Sequence, residues 1–189
     1  MASYEVTFPE AGSYDLYARV RVVSTADDDS FFYGNGFGSK PTNDDASWII
    51  VNNLIGEGYT EGTSVVAGGG TAGSNVWKWI NLSEFPDGGE APVIFTVTTG
   101  NLTQTFQIGA REEGLQIDVL AFVSAADQLT VSNLDAGEPG SPPPPAEAGD
   151  VVHGNLIQFN DNGAWCWYQD ERAVIDFSNQ KMILGSDAS

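Results

Sequence analysis

Apolar residues in this chain arrive in short runs, several of them strictly alternating, and clusters of Gly, Asn and Asp break each run before a helix could form. Tyr4, Val6 and Phe8 alternate with Glu5 and Thr7, Pro9-Glu10-Ala11-Gly12 supplies a turn, and residues 14–22 alternate again. Further β-rich runs fall at 30–33, 48–51, 76–80, 93–97, 104–108 and, most strongly, 115–123. No stretch of about 11 residues carries a 3.6-residue period with caps, although 44–54 has room for a helical turn. Many short strands divided by turns predict an all-β antiparallel β-sandwich, with a jelly roll as the leading architecture.

At 189 residues and 20.1 kDa the chain can bury a core without covalent staples. Cys166 is the only cysteine, so neither an internal disulfide nor a cysteine-based zinc site can form. From Asp135 the composition changes, and five of the nine prolines lie between there and Glu147. Four consecutive prolines favour a polyproline II spacer. The expected organisation is therefore a sandwich over 1–134, a proline-rich linker over 135–150 and a second module over 151–189. That last piece has about the length of one propeller blade, which cannot close a propeller alone. A start directly in a strand pattern and a strand-like run at 183–186 lead us to expect an N-terminally truncated sandwich with an unpaired edge or exposed apolar face, open to self-association.

Seven basic against 26 acidic residues give a net charge of −19, a field that repels phosphate backbones and disfavours nucleic-acid partners. No apolar run reaches about 18 residues, so no membrane insertion is expected, and the N-terminus carries no export-signal pattern. The only histidine, His153, lies beside the spacer, which excludes a histidine-dependent triad within 1–134. Acid pairs such as Asp44-Asp45 and Glu112-Glu113 could serve glycoside hydrolysis, but adjacent residues on a strand point to opposite faces, and a solvated surface is the favoured reading. Asp27-Asp28-Asp29 offers oxygen ligands suited to Ca²⁺ without calcium-loop spacing, and an acidic solvated turn is the simpler reading. Gly68-Gly69-Gly70 lacks the P-loop lysine and reads as a flexible loop.

Aromatic residues beside short polar ones are more informative. Sugar rings stack their apolar CH faces on Trp or Tyr while amides and carboxylates meet the hydroxyls. Tyr33, Trp48, Tyr59 and Trp77 are candidate stacking groups, with Asn35, Asn52 and Asn75 as polar partners, and core packing is the competing reading for each aromatic. Alternation places Trp77 and Trp79 on one face and Lys78 on the other, so at least one of the two tryptophans is expected in the core.

Residues 4–125, with Val6-Thr7-Phe8-Pro9-Glu10-Ala11-Gly12-Ser13-Tyr14, Asp29-Ser30-Phe31-Phe32, Trp77-Lys78-Trp79 and Arg111-Glu112-Glu113-Gly114-Leu115-Gln116-Ile117-Asp118, resemble the later part of the galactose-binding-like jelly rolls of carbohydrate-binding module families 6 and 35. The resemblance implies polysaccharide binding and a structural Ca²⁺, with Asp118 at the late ligand position. Residues 151–189, with His153-Gly154-Asn155, 162–170 and Arg172-Ala173-Val174-Ile175-Asp176, are similar to the opening of BNR-repeat propellers found in polysaccharide lyases and glycoside hydrolases. There His153, Gln169, Asp170 and Arg172 would line the parent's active cleft or, equally, fix the turns of the blade. Together these resemblances imply a non-catalytic glycan-binding module of an extracellular or periplasmic polysaccharide-degrading enzyme. The alternatives are a fragment of the enzyme itself and a structural or adhesion sandwich without a sugar site.

Overall fold

The computed structural model describes residues 1–23, 28–84 and 91–143, and beyond them the backbone of four short strands. The chain divides into two units, Met1–Pro144 and Pro145–Ser189. In the first, β1 (Ala2–Thr7), β2 (Gly12–Arg21), β3 (Phe31–Gly34), β4 (Trp48–Val51), β5 (Lys78–Asn81), β6 (Phe95–Val97), β7 (Thr103–Ala110) and β8 (Gln116–Ser124) precede one helix, α1 (Val131–Ala136). In the second, β9 (Gly163–Ala164) pairs with β12 (Asp187–Ala188), and β10 (Arg172–Asp176) with β11 (Lys181–Gly185). The runs at 173–176 and 181–184 are thus strands, whereas those at 156–159 and 165–168 lie outside the described residues.

The first unit is an antiparallel β-sandwich. One sheet has the order β1-β7-β3-β4, and the other sets β5 and β6 along one side of β2 with β8 along its opposite side. The alternation on β2 explains its central place: Leu16, Ala18 and Val20 face the other sheet, while Tyr17 and Arg19 face outward. Phe95 lies 5.1, 5.2 and 5.7 Å from the rings of Phe122, Phe37 and Phe106, in tilted and edge-on arrangements that suit aromatic quadrupoles. Fully burying a phenylalanine contributes roughly 1.5–3 kcal/mol, so this cluster is a large share of the core's hydrophobic stabilisation. The expected helical turn within 44–54 is a single 3₁₀ turn at Asp45–Ser47, and a further 3₁₀ turn follows at Leu54–Gly56.

A second apolar cluster covers the outer face of the β2 sheet. Tyr17 and Trp79 pack there with Val66, Leu129, Val131 and Leu134. The six-residue α1 is fixed by a capping box, in which Thr130 Oγ1 accepts from Asn133 N and Asn133 Oδ1 accepts from Thr130 N, and it stops at Gly137 in the left-handed conformation. Gln128 and Ser141 then exchange backbone hydrogen bonds. The sandwich unit therefore runs past the expected boundary at 134, and its division from the second unit falls inside the proline run.

The triple glycine also differs from expectation, because Gly70 is part of a close backbone contact. A Cβ on Gly70 would stand 2.2 Å from the Gly58 carbonyl oxygen, and the Gly70 amide donates to Glu57 Oε2 at 3.0 Å. Gly68 has ordinary contacts at 3.9 Å and beyond. Gly70→Ala should cost about 1–3 kcal/mol by forcing backbone apart, while Gly68→Ala should stay within about 0.5 kcal/mol. Equilibrium chemical denaturation of both variants checks this contrast.

Candidate functional site

The outward face of the β1-β7-β3-β4 sheet carries a cleft of about 510 Å³. Phe31 and Tyr33 turn into the core, so the pleat sends Phe32 outward, in register with Ile50 of β4 and Gly109 of β7. Trp48 joins them on the same face of β4. Gly109 leaves the floor open beside these rings: a Cβ there would lie 3.5 Å from Phe32 Cβ and 3.9 Å from Trp48 Cζ3. Thr42 and Asp45 line one rim and Met1 also borders the cleft.

The rim is built by residues 35–47, which leave β3 and return to β4. Asn35 donates its side-chain amide to Ala46 O at 2.6 Å, Trp48 Nε1 donates to Pro41 O at 2.9 Å, and Ser47 Oγ donates to Asp44 Oδ2 at 2.6 Å. Lys40 N donates to the buried Gln107 side chain at 2.6 Å, which ties the loop to β7. Trp48 is thereby anchored at its nitrogen with its ring at the cleft, and Asn35 positions the rim. Phe32, Ile50 and Gly109 escaped sequence reasoning because only strand register brings them together.

The other expected sugar-binding residues do not converge there. Tyr33 is fully buried and donates its hydroxyl to Leu82 O at 3.0 Å, so it is a core residue and cannot stack on a ligand. Tyr59 is half-buried, and its backbone exchanges two hydrogen bonds with Trp79 beside the second apolar cluster. Asn75 is exposed in the left-handed conformation at φ 59°, and Asn52 is half-buried just after β4. Trp77 is 39% exposed near β5, in the sheet opposite Trp48. Arg172 opens β10, while His153, Gln169 and Asp170 lie outside the described residues.

Asp118 meets a guanidinium. Arg19 pairs with Val119, and Val20 with Ile117, so Asp118 is the extra residue of a β-bulge. An unbroken pleat would aim its side chain oppositely to Val119, into the core. Instead Arg19 donates to both Asp118 oxygens, at 2.9 and 2.7 Å, and to Asp135 Oδ1 at 3.2 Å, while its guanidinium lies 5.9 Å from the Trp77 ring centroid and 6.0 Å from that of Trp79. Arg19 holds the Asp118 carboxyl below the usual carboxylate range. Among the described residues no three His, Cys, Asp or Glu side chains are grouped to hold a metal ion. The described partner of the Asp118 carboxylate is thus a guanidinium, with one hydrogen bond to each oxygen.

The acidic turn before β3 is tied into the sandwich where it is described, although Asp29 Oδ1 is buried with no hydrogen-bond partner among the described residues. Asp29 is 1% exposed; its Oδ2 accepts from Ile55 N at 3.1 Å, and its amide donates to Glu112 Oε2 at 3.0 Å. Asp27 lies outside the described residues. Lys78 is also buried, with Nζ donating to the carbonyls of Leu54, Ile55 and Gly73. Burial pushes its pKa down to about 8, against the opposing charges of Glu57 and Asp29.

Searches of protein-family models, curated proteins and solved structures give no match. Among the described residues no helix is long and apolar enough to cross a membrane.

Between pH 8 and its ordinary pKa of 10.5, Lys78 holds a proton in the unfolded chain that the folded protein releases. Its contribution therefore makes stability rise with pH across that window. Tyr17, whose pKa burial raises above its ordinary 10.0, acts in the opposite direction at higher pH. Denaturation free energies measured between about pH 7.5 and 9.5 should climb in the wild type, and Lys78→Met should flatten the climb whatever its effect on absolute stability.

Proposed function

We propose that the sandwich is a non-catalytic glycan-binding module that brings an appended extracellular polysaccharide-degrading enzyme to its substrate, with the Trp48 cleft as its binding surface. The observation that carries this reading is the placement of Trp48 and Phe32 along a cleft of about 510 Å³ with Thr42 and Asp45 at its rim. Aromatic faces can take the CH surfaces of sugar rings, while the hydroxyl and carboxylate fix orientation. Among the described residues Asp45 is the only carboxylate lining the cleft, and the usual glycosidase mechanism uses a pair. The resemblance of residues 151–189 to BNR propellers supports a lyase or hydrolase as the appended enzyme.

Affinity electrophoresis and a glycan array, run with wild type, Trp48→Ala, Gly109→Leu and Trp77→Ala, test the assignment. Trp48→Ala and Gly109→Leu should each weaken binding about tenfold or more, the first by removing a stacking surface and the second by filling the floor. Trp77→Ala should retain affinity, and thermal melts should show that all three variants stay folded. Loss confined to Trp77→Ala would move the site to the other sheet. Absence of binding to plant, algal and microbial polysaccharides would favour the adhesion reading.

A further inference from the structure

Lys78 is the first residue of β5, and its side chain is fully buried. Its ammonium donates to the carbonyls of Leu54, Ile55 and Gly73, three backbone oxygens from the segment that leaves β4 and returns to β5. Glu57 and Asp29 are the charges that act on it. Asp29 has an oxygen, Oδ1, that is buried with no hydrogen-bond partner among the described residues. Carbonyl oxygens backed by carboxylates are the surroundings that a hard metal ion takes from a protein, and here an ammonium fills them.

The oxygens are held in place by contacts that do not involve Lys78. Asp29 accepts from Leu54 N through its carbonyl and from Ile55 N through Oδ2, which fixes the turn Leu54–Gly56. Glu57 Oε2 accepts from Gly70 N, Ala72 N donates to Gly58 O at 3.1 Å, and Tyr59 exchanges backbone hydrogen bonds with Trp79. Gly58, at φ 100°, leaves room for the lysine stem, since a Cβ there would be 2.9 Å from Lys78 Cδ. Removing the stem and its ammonium would therefore leave a pocket whose oxygens stay convergent, with two carboxylates nearby and no cation to balance them.

We propose that residues 54–73 and Lys78 form a cation site whose occupant is the protein's own: the Lys78 ammonium stands where a structural Ca²⁺ would, and the same carbonyls take Ca²⁺ when that ammonium is removed. A covalently attached cation cannot dissociate, so this side of the sandwich keeps its order at any calcium concentration. Calcium dependence arises only in a chain that lacks the ammonium.

The test compares the full 189-residue chain with Lys78→Ala, which opens the pocket, and Lys78→Met, which removes the charge but refills the volume. In wild type, hydrogen exchange of amides within 54–73 should be the same in EDTA and in millimolar CaCl₂. Lys78→Ala should melt below wild type in EDTA, and CaCl₂ should raise its midpoint saturably by about 4 °C or more beyond any shift in wild type or Lys78→Met. Its amides within 54–73 should slow about tenfold or more over the same calcium range. Where Lys78→Ala does not fold in EDTA, return of its near-UV circular dichroism on adding CaCl₂ reads the same site, and Lys78→Ser repeats the measurement. Failure of Ca²⁺ to stabilise or refold both vacated variants beyond the Lys78→Met control overturns the proposal. So does calcium-dependent exchange within 54–73 of the wild type, and so does calcium-induced protection in Lys78→Ala that lies outside 54–73.

Discussion

Lys78 brings a positive charge into the closed side of the sandwich, where an unpaired ammonium would be severely disfavoured, and the chain between β4 and β5 folds to surround it with three carbonyls. Two of these carbonyls belong to the 3₁₀ turn Leu54–Gly56, whose Leu54 and Ile55 amides donate to Asp29. One short turn is thus held through its acceptors by Lys78 and through its donors by Asp29. Close packing around the lysine stem adds a steric limit: a Cβ on Gly58, which sits at φ 100°, would be 2.9 Å from Lys78 Cδ. These contacts keep residues 54–73 against β5, while the outward side chains Val119, Ala121 and Val123 of β8 pack against the second apolar cluster.

The strands were legible because alternation is a local property. Every run expected between residues 4 and 123 overlaps an observed strand, and β4 falls at 48–51 as expected. Lys78 was less legible: alternation correctly separated it from Trp77 and Trp79, but its residue type favours a solvated position, and the carbonyls that receive it come from remote chain. α1 was missed because six residues are too short to display a period. Its local signals were present in Thr130, Asn133 and Gly137, which form its two caps.

Tyr33 and Trp48 show why a candidate site is harder to read than a fold. Both are aromatic residues near polar loops, yet β3 directs Tyr33 inward, while β4 and the loop hydrogen bond from Trp48 to Pro41 hold the tryptophan at the cleft. Strand phase decides the first, and a contact across seven residues helps to fix the second. The other cleft-forming residues, Phe32, Ile50 and Gly109, come from three strands, so no local spacing could join them.

The placement of the cations links packing to recognition. Arg19 serves Asp118 and Asp135, Arg111 serves Glu112, and Lys78 is withdrawn beneath the surface. Much of the sandwich's scarce positive charge is therefore occupied in holding its own acidic side chains and carbonyls. Among the described residues the cleft beside Trp48 is lined by no lysine or arginine and carries Asp45. A polyanionic chain would enter it against both the local carboxylate and the mean field of the molecule, whereas a neutral glycan would meet aromatic faces and hydrogen-bonding groups without that electrostatic cost. The same internal neutralisation that shapes the bulge at Asp118 thus makes a neutral ligand the easier one for the glycan-binding reading.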